Sequence, residues 1–465
     1  MQTLFASSKC ARIMPAVALF ALTAGARLVG QTLQPQPSPT SGTTSNHSSV
    51  TDPGVRGGAA GAGGPLTGLT AAQLAQFNST QATFAEVDSV SGTIPGEGGA
   101  GLGPGFNMNS CSGCHAFPAS GGASPAVNPQ VAVATLHGAR NTVPSFITLN
   151  GPIREARFKQ NADGSADGGV HDLFVITGRS DAPTTCQVQQ TDFASQLQRN
   201  NVSFRIPTPT FGAGLIEAIP DATIMANKNA NASLKQQLGI SGRENRTGND
   251  GSITRFGWKA QNKSLVVFSG EAYNVEQGVT NEIFPNARET ATGCDAMGHP
   301  EDNSMNGEEG DVVEFARFMR LLAPPTPVTS YGSVSSASIL RGQAAFALVG
   351  CALCHTPTLN TGPASITAIS NKAANLYSDL LVHNMGTNLA DGVSQGNASG
   401  NEFRTAPLWG LGQRIFLLHD GRTSDLMKAI QAHSSQGSEA SSSISLFNAL
   451  PDSVTQDLVN FLRSL

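Results

Sequence analysis

The sequence predicts a mainly α-helical protein of two similar units, with long loops and a few short strands. Three observations predict this. Two Cys-x-x-Cys-His runs stand at Cys111–His115 and Cys351–His355. The segment Asp311-Val-Val-Glu-Phe-Ala-Arg-Phe-Met319 can be laid without a gap over Asp457-Leu-Val-Asn-Phe-Leu-Arg-Ser-Leu465. Both copies are amphipathic, with an acid in the first turn and an arginine near the end, as a helix dipole favours.

The elements follow in chain order. Lys9 and Arg12 precede an apolar run, Ile13 to Ala24, and the small-residue site Ala24-Gly25-Ala26, so residues 1–26 read as a signal peptide and the mature chain as periplasmic. That run is about 12 residues, short of the roughly 20 a membrane span needs, and no later run is longer. Cys10 lies inside the signal and reads as incidental rather than as a lipidation site. Residues 27–67 are rich in Gln, Pro, Ser, Thr and Gly and read as a disordered linker.

The first unit spans 68–325. Leu74, Phe77 and Phe84 give a helix over 69–87, and a glycine-rich loop over 96–105 leads to Cys111. Residues 116–310 are additional material, with short strands expected at Val202–Ile206 and Ser264–Phe268. Ala323-Pro324-Pro325 ends the closing helix and marks a boundary. The second unit, 330–465, repeats the plan: a helix over 335–349 runs directly into Cys351. With 28 basic against 33 acidic residues and no basic block, neither nucleic acid nor an anionic membrane is indicated as a partner.

Cys-x-x-Cys-His lets two thiols add to the vinyl groups of haem while the adjacent histidine reaches the iron. A random chain of this composition would hold roughly 0.002 such runs, so two are a strong signal. Zinc-ribbon pairs lie far closer together than these, and a thioredoxin-type pair does not explain a histidine after both. The expected cofactors are two covalently bound haem c groups, on Cys111, Cys114 and His115 and on Cys351, Cys354 and His355. The units then read as cytochrome c-like domains.

For the sixth ligand of the second iron, Thr423 or Ser424 can cap a helix that puts Leu426, Ile430 and His433 on one face. His433 is therefore a candidate, against a surface histidine at a helix end, and Met385 is its rival. A methionine would raise the potential relative to histidine. For the first iron, His137 and His171 are candidates, each more readily a structural or surface histidine. That iron can equally lack a protein sixth ligand and stay open to a small oxidant. Cys186 and Cys294 are expected to form a disulfide in an oxidising compartment. Asp163-Gly-Ser-Ala-Asp167 reads as a turn rather than a calcium loop.

Several stretches carry a family resemblance: Asn109-Ser-Cys-Ser-Gly-Cys-His115, Gly212-Ala-Gly-Leu-Ile-Glu217, Arg255-Phe-Gly-Trp258-Lys, Tyr273-Asn-Val-Glu-Gln-Gly278 running to Glu282-Ile-Phe-Pro, Arg341-Gly-Gln-Ala-Ala-Phe346, and Arg404-Thr-Ala-Pro-Leu-Trp409 running to His419-Asp-Gly. Over most of 70–465 the chain resembles the di-haem oxidoreductases, which also carry a thiol oxidoreductase label, and the related bacterial dihaem cytochrome c peroxidases. The resemblance implies a donor haem in the C-terminal unit and a reactive haem in the N-terminal one. In those peroxidases a methionine stands where His433 stands here, which supports a ligand at that position and implies a lower donor potential. An indole assists electron transfer between their haems, and Trp258 is its possible counterpart, against a plain core tryptophan. Glu282 and Glu217 are candidate acid–base groups for a peroxide site, against capping or loop roles. Three function classes stay open, one of them a haem enzyme that modifies another protein by long-range oxidation. Another is an enzyme that takes electrons from a small redox protein or small-molecule donor and reduces hydrogen peroxide. The third is a pure electron-transfer cytochrome with both irons closed.

Overall fold

A computed structural model gives the fold of residues 47–288, 293–294, 300–302 and 309–465. The expected signal peptide and the linker up to residue 46 lie outside the described residues. Six helices position the Cys motifs: α1 (Ala71–Phe84), α2 (Leu265–Gln277), α3 (Asp311–Leu321), α4 (Ser336–Leu348), α5 (Leu426–Gln431) and α6 (Asp452–Ser464). α1 starts on a reciprocal cap, in which the Thr70 hydroxyl accepts from the Gln73 N–H and the Gln73 side chain accepts from the Thr70 N–H. Two orphan donors are thereby satisfied.

α1 packs on α3 and α4 packs on α6, so each Cys motif lies against a helix pair. Phe77 and Phe84 meet Phe318 at ring distances of 5.5 and 4.7 Å. In the other pair, Phe346 meets Phe461 at 5.5 Å. Such aromatic contacts add about 0.5–1.5 kcal/mol each beyond area burial. Close approach is set by glycine: a Cβ on Gly342 would strike the Asp457 carbonyl of α6, and one on Gly214 the Arg320 carbonyl of α3.

The mainly α expectation gives way to a mixed architecture. Short antiparallel sheets thread the long loops. One has β1 (Glu155–Phe158) between β2 (Val170–His171) and β3 (Val202–Arg205), and another pairs β4 (Val382–Asn384) with β5 (Glu402–Arg404). The expected strand at 202–206 is thus present as β3. The one at 264–268 is not: Ser264 caps α2 by accepting from the Val267 N–H, and the β-branched Val266 and Val267 fall in its first turn. Burial of Leu265 and Tyr273 along one side of that helix outweighs their strand preference.

The largest core joins both halves of the chain, with Leu215, Ile219 and Phe315 packed in one cluster with Leu376, Leu380 and Trp409. All described residues fall within one compact unit, Thr43–Leu465. Residues 47–66 correct the linker expectation. His47 is buried, the Arg56 N–H donates to the Gly412 carbonyl, and the Leu66 N–H to that of Leu321. Pairing to the folded chain orders a segment whose composition alone could not.

Cys186 and Cys294 form a disulfide across 108 residues, with both sulfurs in the core. Replacing both by serine is expected to lower stability by about 2–5 kcal/mol. Guanidinium unfolding measures this, and an unchanged midpoint would contradict a structural role for the bond.

Candidate haem centres

Each Cys motif opens on a cavity. Ser110 is extended and the chain then tightens into one helical turn, Cys111–Cys114, which brings the His115 N–H to the Cys111 carbonyl at 3.0 Å. Both thiols and the imidazole line the first cavity. Cys351, Cys354 and His355 line the second in the same manner. Burial drives the Cys111, Cys114 and Cys351 thiols upward, Cys351 to about 12.

The histidines are prepared as ligands. His115 Nδ1 lies 3.0 Å from the Gly122 carbonyl and His355 Nδ1 3.0 Å from that of Tyr377. A carbonyl only accepts, so each Nδ1 carries the proton and each Nε2 keeps its lone pair. Burial holds both rings neutral, pushing their pKa down to about 4.

His433 shares this arrangement at the second cavity. It follows α5, lines the cavity, and donates from Nδ1 to the Ala429 carbonyl at 2.8 Å. Burial lowers its pKa, and it in turn helps depress that of His355. Met385 lines the same cavity but packs with Ile206, Trp258 and Phe403. His383 is there too, with both nitrogens engaged: Nε2 is 3.0 Å from Asp379 and Nδ1 2.8 Å from Glu439. Of these three side chains, His433 is the one whose free nitrogen would suit an iron held by His355; His419 also lines the cavity, its pKa lowered by burial to about 4 and its ring stacked on Phe403 at 4.3 Å.

The cavities also carry cations suited to the two carboxylates of haem. Arg404 and Arg414 line the second cavity, and burial lowers each pKa to about 10. Arg404 donates to the Gly257 carbonyl at 3.0 Å, and among the described residues neither guanidinium meets a carboxylate. A buried cation without an anion is costly, so the residues fit an anionic group brought by a ligand. At the first cavity Arg154 donates to the Asp420 and Phe146 carbonyls and meets no carboxylate among the described residues, whereas Arg205 is already paired with Asp391 at 2.8 Å.

Trp258 lines both cavities. Its indole N–H donates to the Ile206 carbonyl at 2.9 Å, and its edge meets the His419 ring at 6.3 Å. The candidate electron-transfer residue therefore sits in the shared wall.

The candidate acids do not lie where they were expected. Glu217 pairs with Arg320 at 2.6 Å and accepts the Leu265 N–H at 2.9 Å, so it anchors the start of α2 outside the cavity. Glu282 is exposed and also outside. The alternative ligands for the first iron are likewise engaged elsewhere: His137 pairs with Glu97 at 2.8 Å, and His171 pairs with Asp167 at 2.9 Å and stacks on Phe158. Among the described residues, His115 is the only imidazole lining the first cavity.

The acids that do line it are Glu155, Glu271 and Glu276. Glu155 and Glu276 are hydrogen-bonded to one another. Burial, then the neighbouring Glu155 charge, pushes Glu276 well above the usual carboxyl range. Burial also opposes ionisation of Glu155, but Arg157, 2.6 Å away, and Arg205 overcome it and lower its pKa. The two carboxyls titrate as a pair, Glu276 pushed toward the protonated form and Glu155 toward the ionised one. A sequence signal existed for both. Glu155 and Arg157 alternate on one face of a short strand, and Glu276 lies inside the Tyr273–Gly278 stretch.

The sequence matches the family described as "Di-haem oxidoreductase, putative peroxidase" over residues 155–465. The match takes in the second Cys motif and Trp258 and begins downstream of the first Cys motif. No curated protein matches. Among solved structures, the hydrazine synthase of Kuenenia stuttgartiensis pressurised with xenon is similar at 13% identity, over 96% of this chain and 99% of that one, with a TM-score of 0.34.

Proposed function

This chain belongs to the di-haem oxidoreductase family, and on that footing we propose that it is an exported peroxide reductase with haem c at both Cys motifs. Electrons from a small redox protein or small-molecule donor enter at the second centre and are used at the first. When bound, the haems supply one-electron chemistry and, at the first centre, a metal position open to a small oxidant. His115 and His355 would each hold an iron through the free Nε2, and His433 would supply a further ligand at the second centre. Arg404 and Arg414 neutralise carboxylates at the second centre.

Glu276 keeps a proton for the leaving oxygen of a peroxide, and Glu155, ionised by Arg157, returns it to the pair from solvent. Reducing hydrogen peroxide to two waters takes two electrons and two protons, so proton supply must match electron supply. Trp258 lies between the two centres. Export is supported by the buried disulfide and by the signal-like N-terminus. No described helix is long and apolar enough to cross a membrane.

The observation that carries the reading is the first cavity itself. It has a proton-sharing glutamate pair and no second histidine among the described residues, and it meets the other cavity at an indole. Trp258→Phe tests it by stopped flow. The prediction is unchanged spectra at both haems with electron transfer between them, and peroxide turnover, slowed at least about tenfold, a barrier of about 1.4 kcal/mol. Absence of peroxide turnover in the wild type, with both irons low-spin, would leave the electron-transfer cytochrome instead.

A further inference from the structure

The chain between 47 and 56 lies against the second centre from outside, and its contacts converge on one ion pair. His47 Nδ1 is 2.8 Å from Asp452, and its Nε2 3.2 Å from the Phe447 carbonyl. Thr51 and Gln456 exchange two hydrogen bonds, each 2.9 Å. Asp52 then grips Arg463, accepting from Nε at 2.8 Å and from the terminal nitrogen at 2.6 Å. Arg463 has no exposed surface, and its remaining donors reach the backbone carbonyls of Leu411, Arg414 and Ser424. One guanidinium therefore ties together α6, the loop bearing Arg414, the approach to α5 and the N-terminal segment.

Asp52 also takes part in α5 directly. The Leu426 N–H, first in that helix, donates to Asp52 at 2.8 Å. The next two donors, Met427 and Lys428, are held by the Asp425 side chain, and the N–H of the capping Asp425 itself donates to the Thr423 hydroxyl at 3.0 Å. All four orphan donors are accounted for, one of them by a residue more than 370 positions away. A helix of six residues has little stability of its own, so such anchors fix where it sits. Leu426, Ala429, Ile430 and His433 all line the second cavity. Arg317, which occupies Arg463's place in the repeated segment, pairs instead with Glu309 in a partly exposed bridge.

We propose that Asp52 is a positioning residue for the second haem: through Arg463 and the Leu426 N–H, the N-terminal segment sets the helix that presents His433 to the iron. This rests on the reading of His433 as sixth ligand. Asp52 acts from outside the cavity and touches neither haem nor substrate.

The test uses the matured holoprotein and reads the electron paramagnetic resonance of the oxidised form and the rate of carbon monoxide binding to the reduced second haem. Asp52→Ala is expected to turn part of the second iron high-spin and to speed carbon monoxide binding at least tenfold. Gln456→Ala loosens the same segment at Thr51 and is expected to lower the melting temperature while leaving both signals unchanged. His433→Ala separates the two claims. If it alters the second iron and Asp52→Ala does not, the positioning role is overturned and the ligand stands. If it alters nothing, the ligand reading fails and takes this proposal with it. Should Asp52→Ala not accumulate as holoprotein, Asp52→Asn carries the same two outcomes, since it removes the charge and keeps an acceptor oxygen.

Discussion

His433→Ala is expected to convert the second iron from low-spin to high-spin and to open it to carbon monoxide. The side chain is half-buried in the cavity wall, its pKa is lowered by loss of hydration, and its Nδ1 proton is committed to the Ala429 carbonyl. The remaining lone pair faces a cavity whose opposite ligand, His355, is fixed in the same tautomer by Tyr377. Removing the ring leaves space; of the other imidazoles that line the cavity, His383 is engaged on both nitrogens and His419 stacks on the Phe403 ring at 4.3 Å. Met385 gives the contrary case. If the thioether were the ligand, His433→Ala would keep the low-spin signal and Met385→Ala would abolish it. His433→Met is expected to retain a six-coordinate iron at a higher potential, following the ordinary effect of a thioether ligand.

The second large effect concerns the first cavity. Glu276→Gln is expected to lower peroxide turnover by about 10²–10⁴-fold, the usual contribution of a placed general acid, with both haem spectra unchanged. The pH dependence follows from the direction of the shift. Burial and Glu155 raise the Glu276 pKa, so the acid form needed for turnover persists above the ordinary carboxyl range and is lost as pH rises through that raised value. The wild type should show this alkaline fall and the glutamine variant should lack it. The same shift has a stability consequence of matching sign. A carboxyl whose folded pKa is raised stabilises the fold fully below its unfolded pKa and loses that contribution as pH rises toward the folded one. Denaturant midpoints between those limits should therefore fall less in Glu276→Gln than in the wild type. Glu217→Gln, which touches only the Arg320 anchor and the start of α2, is expected to change stability and leave the pH profile of turnover alone.

These effects separate what the sequence could convey from what it could not. The Cys motifs, α1, α4, the paired α3 and α6, and the inward position of His433 rest on local periodicity and spacing, and those survive without tertiary information. The acid pair was illegible because Glu155 and Glu276 are 121 positions apart and become a pair only when β1 meets the end of α2 at the cavity. Glu217 and Glu282 sit in equally suggestive stretches, but one is consumed by Arg320 and the other faces solvent. At Ser264–Phe268 the β-branched Val266 and Val267 favour a strand locally, while a helix cap and one buried side decide the outcome. The segment after His47 looked unable to order itself, which is true of it in isolation. Its partners are Asp452, Arg463 and Gly412, at the far end of the chain.

The central claim is that both Cys motifs carry covalent haem. It is tested most directly by counting haem on the matured protein after acid–acetone extraction, using the pyridine haemochrome spectrum with peptide mass mapping. The account predicts two haems per chain that resist extraction, one on the peptide with Cys111 and Cys114 and one on the peptide with Cys351 and Cys354. Haem that extracts freely, fewer than two haems per fully matured chain, or zinc bound at either pair would contradict it.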